Sequence, residues 1–203
     1  MDTLYALYRH SLAGLRVMIG ATLLLGVLYP LAVLGVAQLT MPWQARGSLV
    51  TATGGHTTDP AQAVGSALLG QVTDDPALFY DRPSAAGKGY DPTDSYGTNL
   101  GPNDPRLVAS INRLKRQIAA REGVVPAAVP PDAVTSSGSG LDPGISPAYA
   151  ALQVPRVARA TGLSEAVVRG LVAANTHGRV WGVLGAPYVD VLTLNIAVRK
   201  AAH

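Results

Sequence analysis

The stretch VMIGATLLLGVLYPLAVLGVAQL, residues 17–39, decides the architecture. No residue from Val17 to Ala45 is charged. As a helix rising about 1.5 Å per residue it would extend roughly 35 Å, enough to cross a hydrocarbon core of about 30 Å with some tilt. A secretory signal has an apolar core of about 7–15 residues and a small-residue cleavage site. This core is longer, and the following QLTMPWQARG offers no clean small-x-small site. A retained anchor is therefore expected, against two alternatives: a cleaved signal peptide and a buried helix of a soluble protein. Pro30 lies inside the span and predicts a kink. Gly14, Gly20, Gly26 and Gly35 form no GxxxG pair. Arg9, His10 and Arg16 precede the span, and Arg46 stands alone after it until Arg82. The bias of basic residues to the cytoplasmic side places the N-terminus inside.

Working outward, residues 1–16 read as a cytoplasmic stub, 17–39 as a transmembrane helix, 40–62 as a flexible exit segment and 63–203 as an extracytoplasmic domain. About 140 residues suffice for one domain with its own core. The expected fold is a single N-terminal transmembrane helix followed by one compact mixed α/β domain. The chain has no cysteine, which removes disulfides and thiol chemistry. Charged residues make up only 14%, against 22 Gly and 15 Pro, a balance that fits a loop-rich domain seated against a partner. Arg106, Arg113, Lys115, Arg116 and Arg121 cluster behind a run of Asp residues. A solvated helix face accounts for them better than nucleic acid, which is absent outside a membrane.

Within the domain, AVGSALLGQV at 63–72 reads as a strand weakened by Gly65 and Gly70. Residues 78–105 are a long irregular loop, and such loops are functional or disordered. Phe79, Tyr80, Tyr90 and Tyr96 argue for order. Arg82 is expected to pair with Asp81 or Asp91, and Asn99 to close a turn. Asp104-Pro105 starts a helix whose stripe is Leu107, Ile111, Leu114 and Ile118, ended by Gly123. After a polar loop at 134–147, Ser146-Pro147 opens a helix over 148–160, stopped by Gly162, and Ser164 caps another over 165–175. YVDVLTLNIAV at 188–198 alternates and is rich in Val, Leu and Ile, the pattern of a strand.

Catalytic patterns are absent from the sequence. Ser136-Ser137-Gly138-Ser139-Gly140 lacks the spacing of a nucleophile elbow. There is no Cys or His pair at metal-ligand spacing, no calcium loop and no phosphate loop, so no metal site and no cofactor of its own are expected.

Six stretches carry a resemblance: GSALLGQ at 65–71, FYDRPSA at 79–85 with Tyr90-Asp91, GTNLGP at 97–102, PDAVTSSGSGLDP at 131–143, QVPRVAR at 153–159 and VLTLN at 191–195. In this order, behind a single span, they resemble the potassium-transporting ATPase C chain family, KdpC. The chain departs from the usual residues at Thr98, Asp104 and Asp190. The resemblance implies a non-catalytic subunit of a bacterial high-affinity potassium pump. Its partners would be a channel-like potassium-binding A chain, a P-type ATPase B chain and a small F chain, within membrane lipid. It also implies a catalytic-chaperone role that raises the B chain's affinity for ATP, and it links Gln153 to nucleotide. The expected topology puts Gln153 outside while ATP is inside, which favours docking over the A chain's external potassium entrance. Docking candidates are Arg82, Tyr90, Asn99, Ser137 and Asp142. The alternative is a membrane-anchored periplasmic enzyme or ligand-binding domain.

Overall fold

A computed structural model describes residues 2–202, which fall into two units dividing between Ser48 and Leu49. In the first unit, helix α1 (Asp2–Leu23) runs into a π-helical turn, Leu24–Leu28, and then into helix α2 (Tyr29–Thr40) and the single turn α3 (Pro42–Ala45). The stretch expected as a stub is thus helical from Asp2. Residues Thr3–Thr40 form one helical run of 38 residues with a mean hydropathy of 2.3 in its most apolar window, none of it buried. By length and composition it can cross a membrane. The disturbance expected from Pro30 takes the form of the π turn. Proline has no N–H to return to the carbonyl four residues back, and on the residue just before it the Tyr29 N–H reaches five residues back, to the Leu24 carbonyl. From Val17 to Leu39 the side chains are almost all apolar on every face of this run, as in Val17, 71% exposed, and Leu39, 86% exposed.

The second unit starts where a flexible exit was expected. Strand β1 (Leu49–Thr51) pairs antiparallel with β2 (His56–Thr57) and with β3 (Ala63–Ser66), in the order β2-β1-β3. The Gly- and Thr-rich composition of residues 51–57 belongs to a tight hairpin, not a linker. The Thr51 hydroxyl donates to the Gly55 carbonyl at 3.2 Å and accepts the Gly55 N–H at 3.0 Å. Asp59 then accepts the Ala61 N–H and caps the 3-10 turn Pro60–Gln62. The strand expected over 63–72 is only β3. The Ser66 hydroxyl accepts the Leu68 N–H at 3.1 Å and turns the chain out of the sheet, and Gly70 N–H goes to the Leu141 carbonyl.

Helix α4 (Pro105–Glu122) starts and stops as the sequence predicts: Asp104 accepts the Arg106 N–H, and Gly123 closes it at φ +71°. Its stripe buries Ile118 and packs Ile111 and Leu114 on the core. Strand β4 (Gly144–Ile145) leads to α5 (Pro147–Thr161), capped by the Ser146 hydroxyl, and α6 (Glu165–Ala174) is capped by Ser164. Strands β5 (Thr176–His177) and β6 (Tyr188–Asp190) complete a second antiparallel sheet in the order β4-β6-β5.

The strand expected over 188–198 is corrected here. Only Tyr188–Asp190 is strand, and Val191–Ala202 is helix α7. Asp190 makes the switch by accepting the Thr193 N–H at 2.9 Å, which caps the new helix. Val191, Leu194, Asn195 and Val198 then share one buried face at helical spacing. The Val, Ile and Thr content of residues 188–198 suits a strand, but the buried face has the helical period. The core lies among α4–α7 and the second sheet, with Phe79, Tyr149, Val157, Val168, Val189 and Leu194 at 1% exposure or less. The observed architecture is the expected one, a candidate span followed by a compact mixed α/β domain.

Candidate functional site

Around the segment 76–82 the domain makes two polar arrangements, one buried and one at the surface. The buried one is a clamp. Gln153 and Arg156 lie three residues apart on α5 and so face the same way. Gln153 is fully buried. Its Oε1 accepts the Tyr80 N–H at 2.8 Å, and its Nε2 donates to the Tyr80 carbonyl at 3.1 Å. From α7, Asn195 repeats the pattern one residue earlier: Oδ1 accepts the Phe79 N–H at 2.8 Å and Nδ2 donates to the Phe79 carbonyl at 2.9 Å. Two side-chain amides thus do for an irregular segment what a neighbouring strand does in a sheet.

Arg156 completes the clamp. It donates to the carbonyls of Pro76 and Leu78, to Gln153 Oε1 at 2.8 Å and through Nε to both oxygens of Glu122, at 3.1 and 2.9 Å. Glu122 closes α4, is 5% exposed and also accepts from Arg121 at 2.6 Å. The Arg121 guanidinium lies 4.0 Å from the centre of the Tyr80 ring, and that of Arg156 4.8 Å. Arg121 also donates to the Tyr149 hydroxyl at 2.9 Å. Burial pushes the Tyr149 phenol above its ordinary range, against the opposing pull of Arg121. A buried carboxylate with two guanidiniums is stable only because its hydrogen bonds are made.

The second arrangement locks the loop at 82–97 to the loop at 135–142. Arg82 was expected to pair with Asp81 or Asp91; it pairs with Asp142 at 3.2 Å and donates to the Thr135 carbonyl at 3.0 Å. Sequence proximity misled, because partners supplied by the other loop hold the guanidinium. The Tyr90 hydroxyl donates to the Arg82 carbonyl at 2.6 Å, and burial raises its pKa, followed by the charges of Asp81 and Asp142. Ser84 Oγ donates to the Gly140 carbonyl at 2.6 Å and accepts the Tyr90 and Ala86 N–H groups. The Tyr96 N–H and the Ser95 hydroxyl both reach the Ser139 carbonyl. Gly140 sits at φ +68°, and a Cβ there would lie 2.7 Å from Ala86 N and from Tyr96 O. A Cβ on Gly70 would fall 2.3 Å from the Tyr90 ring.

The structure therefore brings Arg82, Tyr90 and Asp142 together and leaves Gln153 in the separate clamp. Ser137 is half-buried at the edge of the lock, with its hydroxyl 3.3 Å from that of Ser139. Asn99 is exposed at φ +51°, a conformation its short amide tolerates. Sequence reading missed Arg156, Glu122, Arg121 and Asn195. The signal for one of them was present: Gln153 and Arg156 at i and i+3 on a predicted helix.

Asp81 is the exception to this satisfied set. Its Oδ1 and Gln71 Nε2 are buried without protein partners, and both residues line a cavity of about 380 Å3 together with Asp75, Leu78, Asn195 and Arg199. Burial, then the charges of Asp190 and Asp142, raise the Asp81 carboxyl from 3.8 to about 8. Among the described residues no group of three or more His, Cys, Asp or Glu is placed to hold a metal.

Comparison with known proteins agrees with this layout. Residues 11–200 match the family model described as K+-transporting ATPase, c chain. The potassium-transporting ATPase KdpC subunit of Kineococcus radiotolerans is 48% identical over 196 residues, 97% of this chain and 96% of the relative. That of Caulobacter vibrioides is 51% identical over 178 residues, 87% of this chain and 86% of the relative. That of Koribacter versatilis is 42% identical over 189 residues, 93% of each. A match that runs from the apolar helix to the last turn of α7 leaves one conclusion: the chain belongs to the KdpC family of potassium-transporting ATPase subunits.

Proposed function

We propose that this chain is a non-catalytic subunit of an ATP-driven potassium import pump in a bacterial plasma membrane, with its N-terminus in the cytoplasm and residues 49–203 outside. The observation that carries the reading is the extent of the family match, which takes in the candidate span and the folded domain alike. Arg9 and Arg16 ahead of the span support the orientation. The partners are the channel-like potassium-binding A chain, the P-type ATPase B chain and the small F chain, with lipid around α1 and α2. The chain raises the affinity of the B chain for ATP from a distance, by stabilising the assembly over the external potassium entrance.

Gln153 serves this as a positioning residue. Both ends of its amide are engaged by the Tyr80 backbone, so a nucleotide would reach it only by opening the clamp. Arg82, Tyr90 and Asp142 hold the docking surface in shape, and the exposed Asn99 and half-buried Ser137 are its contact candidates. Affinity purification of the tagged chain from membranes tests the reading. It should bring down a channel-like protein and an ATPase, and membranes lacking the chain should show a raised KM for ATP. Recovery of the chain alone from native membranes would overturn it. The cavity beside Asp81 favours a second reading, a membrane-anchored periplasmic ligand-binding domain or enzyme, which predicts the solitary chain.

A further inference from the structure

Between β5 and β6 the chain leaves the core as a short hairpin whose tip is VWGVL, residues 180–184. Val180 and Leu184 exchange both backbone hydrogen bonds, each at 3.0 Å, and the Gly182 N–H reaches the Arg179 carbonyl at 3.1 Å. The tip is therefore a closed backbone unit. Its side chains point away from the protein: Val180 is 60% exposed, Trp181 87%, Val183 70% and Leu184 53%. Four large apolar groups within five residues form an exposed patch of the kind that soluble surfaces avoid.

Trp181 is there against the local preference of the backbone. It has φ +52° and Gly182 has φ +77°, the pair of positive values that a tight type I′ turn requires. The first of these positions favours Asn, Asp or Gly, because a bulky side chain crowds the left-handed conformation. An indole at that position faces away from its own domain and has no packing role there. Trp is the side chain that combines a large apolar body with a polar N–H, and it settles where hydrocarbon meets water.

The surroundings fit a lipid surface. No carboxylate occurs between Glu165 and Asp190; Arg169 is paired with Glu165, and Arg179 beside the tip supplies charge of the sign that anionic headgroups attract. At the neck of the hairpin the rings of His177 and Tyr188 stack at 4.9 Å, which gives the tip an aromatic base. The domain begins at Leu49, nine residues after the candidate span ends at Thr40. At full extension those residues reach about 30 Å, so the domain stays near the bilayer it is tethered to.

We propose that the 180–184 hairpin is a membrane-surface anchor: Trp181, Val183 and Leu184 enter the headgroup region of the bilayer, and Arg179 pairs with anionic lipid. The anchor holds the domain at the membrane by a second contact besides the covalent one. The proposal rests on α1 and α2 crossing a membrane, and it is independent of which side the domain faces and of the pump assignment.

Trp43 and Trp181 are the two tryptophans of the chain, so Trp43→Phe leaves Trp181 as the only indole. The full chain carrying that change is reconstituted in nanodiscs of phosphatidylcholine and phosphatidylglycerol, with and without bromine on the upper acyl carbons. Trp181 emission should be at least about two-fold weaker with brominated lipid, and adding Arg179→Glu and Val183→Asp should abolish the quenching at an unchanged melting temperature. Equal emission with both lipids would overturn the proposal. So would emission that becomes blue-shifted only when the other pump subunits are present and stays unquenched by bromine, since that places the indole in a protein pocket. Should Trp43→Phe disturb the fold, the difference in quenching between the native chain and Trp181→Phe reports the same contact. Co-flotation of the chain with vesicles reports the span separately, so failure of the span to hold a membrane and failure of the hairpin to enter it are told apart.

Discussion

The loop at 134–143 and the hairpin at 178–187 are both rich in glycine, and they use it in opposite ways. In the first, Gly140 brings the backbone so close to Ala86 and Tyr96 that no side chain fits, and Ser84, Arg82 and Tyr90 fasten the contact. In the second, Gly182 and Gly185 have open space where a Cβ would lie, and their positive φ serves only to turn the chain. One loop lies at the surface but is fastened to its own domain, its polar groups matched by another loop. The other faces outward and exposes apolar groups that nothing in the domain covers. Loop composition alone does not separate a lock from a contact surface; the partner of each backbone group does.

The largest effect should come from the clamp that supports the lock. Arg156→Ala leaves Glu122 buried with one cation instead of two and strips the Pro76 and Leu78 carbonyls of a donor. Loss of one partner from a buried ion pair costs about 3–5 kcal/mol. For a domain of this size that lowers the melting temperature by roughly 10 °C. Gln153→Ala removes two hydrogen bonds and opens a void, at about 2–4 kcal/mol. Thermal unfolding of the full chain in detergent, and the yield of assembled pump, should fall together in both variants. A Gln153→Ala chain that assembles normally and yet raises the KM for ATP would show a role for Gln153 beyond the clamp.

The two glycines test the comparison directly. Gly140→Ala meets backbone atoms at 2.7 Å and a left-handed φ. Strain of about 1–2 kcal/mol and overpacking of about 1–3 kcal/mol add there. Gly182→Ala meets only the left-handed φ, so about 1 kcal/mol is expected. Equal melting temperatures for the two variants would mean that the 134–143 loop is not locked.

Much of this was legible in the sequence where the signal is local. The caps at Asp104, Ser146 and Ser164, the stop at Gly123 and the uncharged span all follow from residues adjacent in the chain. The switch inside YVDVLTLNIAV was not legible from composition, because Val, Leu and Ile in alternation suit a strand until Asp190 is seen to cap Thr193. The hairpin at 51–57 looked like a linker because Gly and Thr serve both. The site was harder still. Arg82 finds Asp142 sixty residues away, and Gln153 holds Tyr80 across seventy-three. Such pairings depend on tertiary topology, and no spacing rule along the chain reaches them.

Asp81 sets a pH dependence on the inward-facing side. Its carboxyl lies near 3.8 when exposed and at about 8 in the fold, raised first by burial and then by Asp190 and Asp142. The native state therefore holds a proton that the unfolded chain has released. The stabilising contribution is complete below about pH 4, declines as pH rises through the interval to about 8 and is lost above it. At about 1.4 kcal/mol per pH unit for one proton, a decline on the order of 4 kcal/mol between pH 5 and 8 is expected from this one group. Asp81→Asn keeps the shape, cannot ionise and should flatten the melting-temperature profile over that interval while raising stability at pH 8. A profile unchanged by the substitution would place the titration elsewhere.

The smallest effect, and the one of opposite sign, belongs to the outward-facing hairpin. Trp181 occupies a left-handed position with 87% of its surface exposed, so its side chain adds little to folding while its backbone is strained. Asn tolerates that conformation better than any bulky residue, because its short side chain bonds locally. Trp181→Asn should therefore leave the domain as stable as before or raise its stability by about 0.5–1 kcal/mol, a shift of roughly 1–4 °C. If the indole enters lipid, the same variant should weaken the hold of the domain on the membrane: faster amide exchange in residues 178–187 when the full chain sits in nanodiscs, with no change in detergent. A stability gain together with faster exchange in nanodiscs separates the two roles of position 181, conformational cost to the fold and contact with the bilayer. A clear loss of stability in detergent would instead make Trp181 part of the domain's own packing, and the contrast between the two loops would fail.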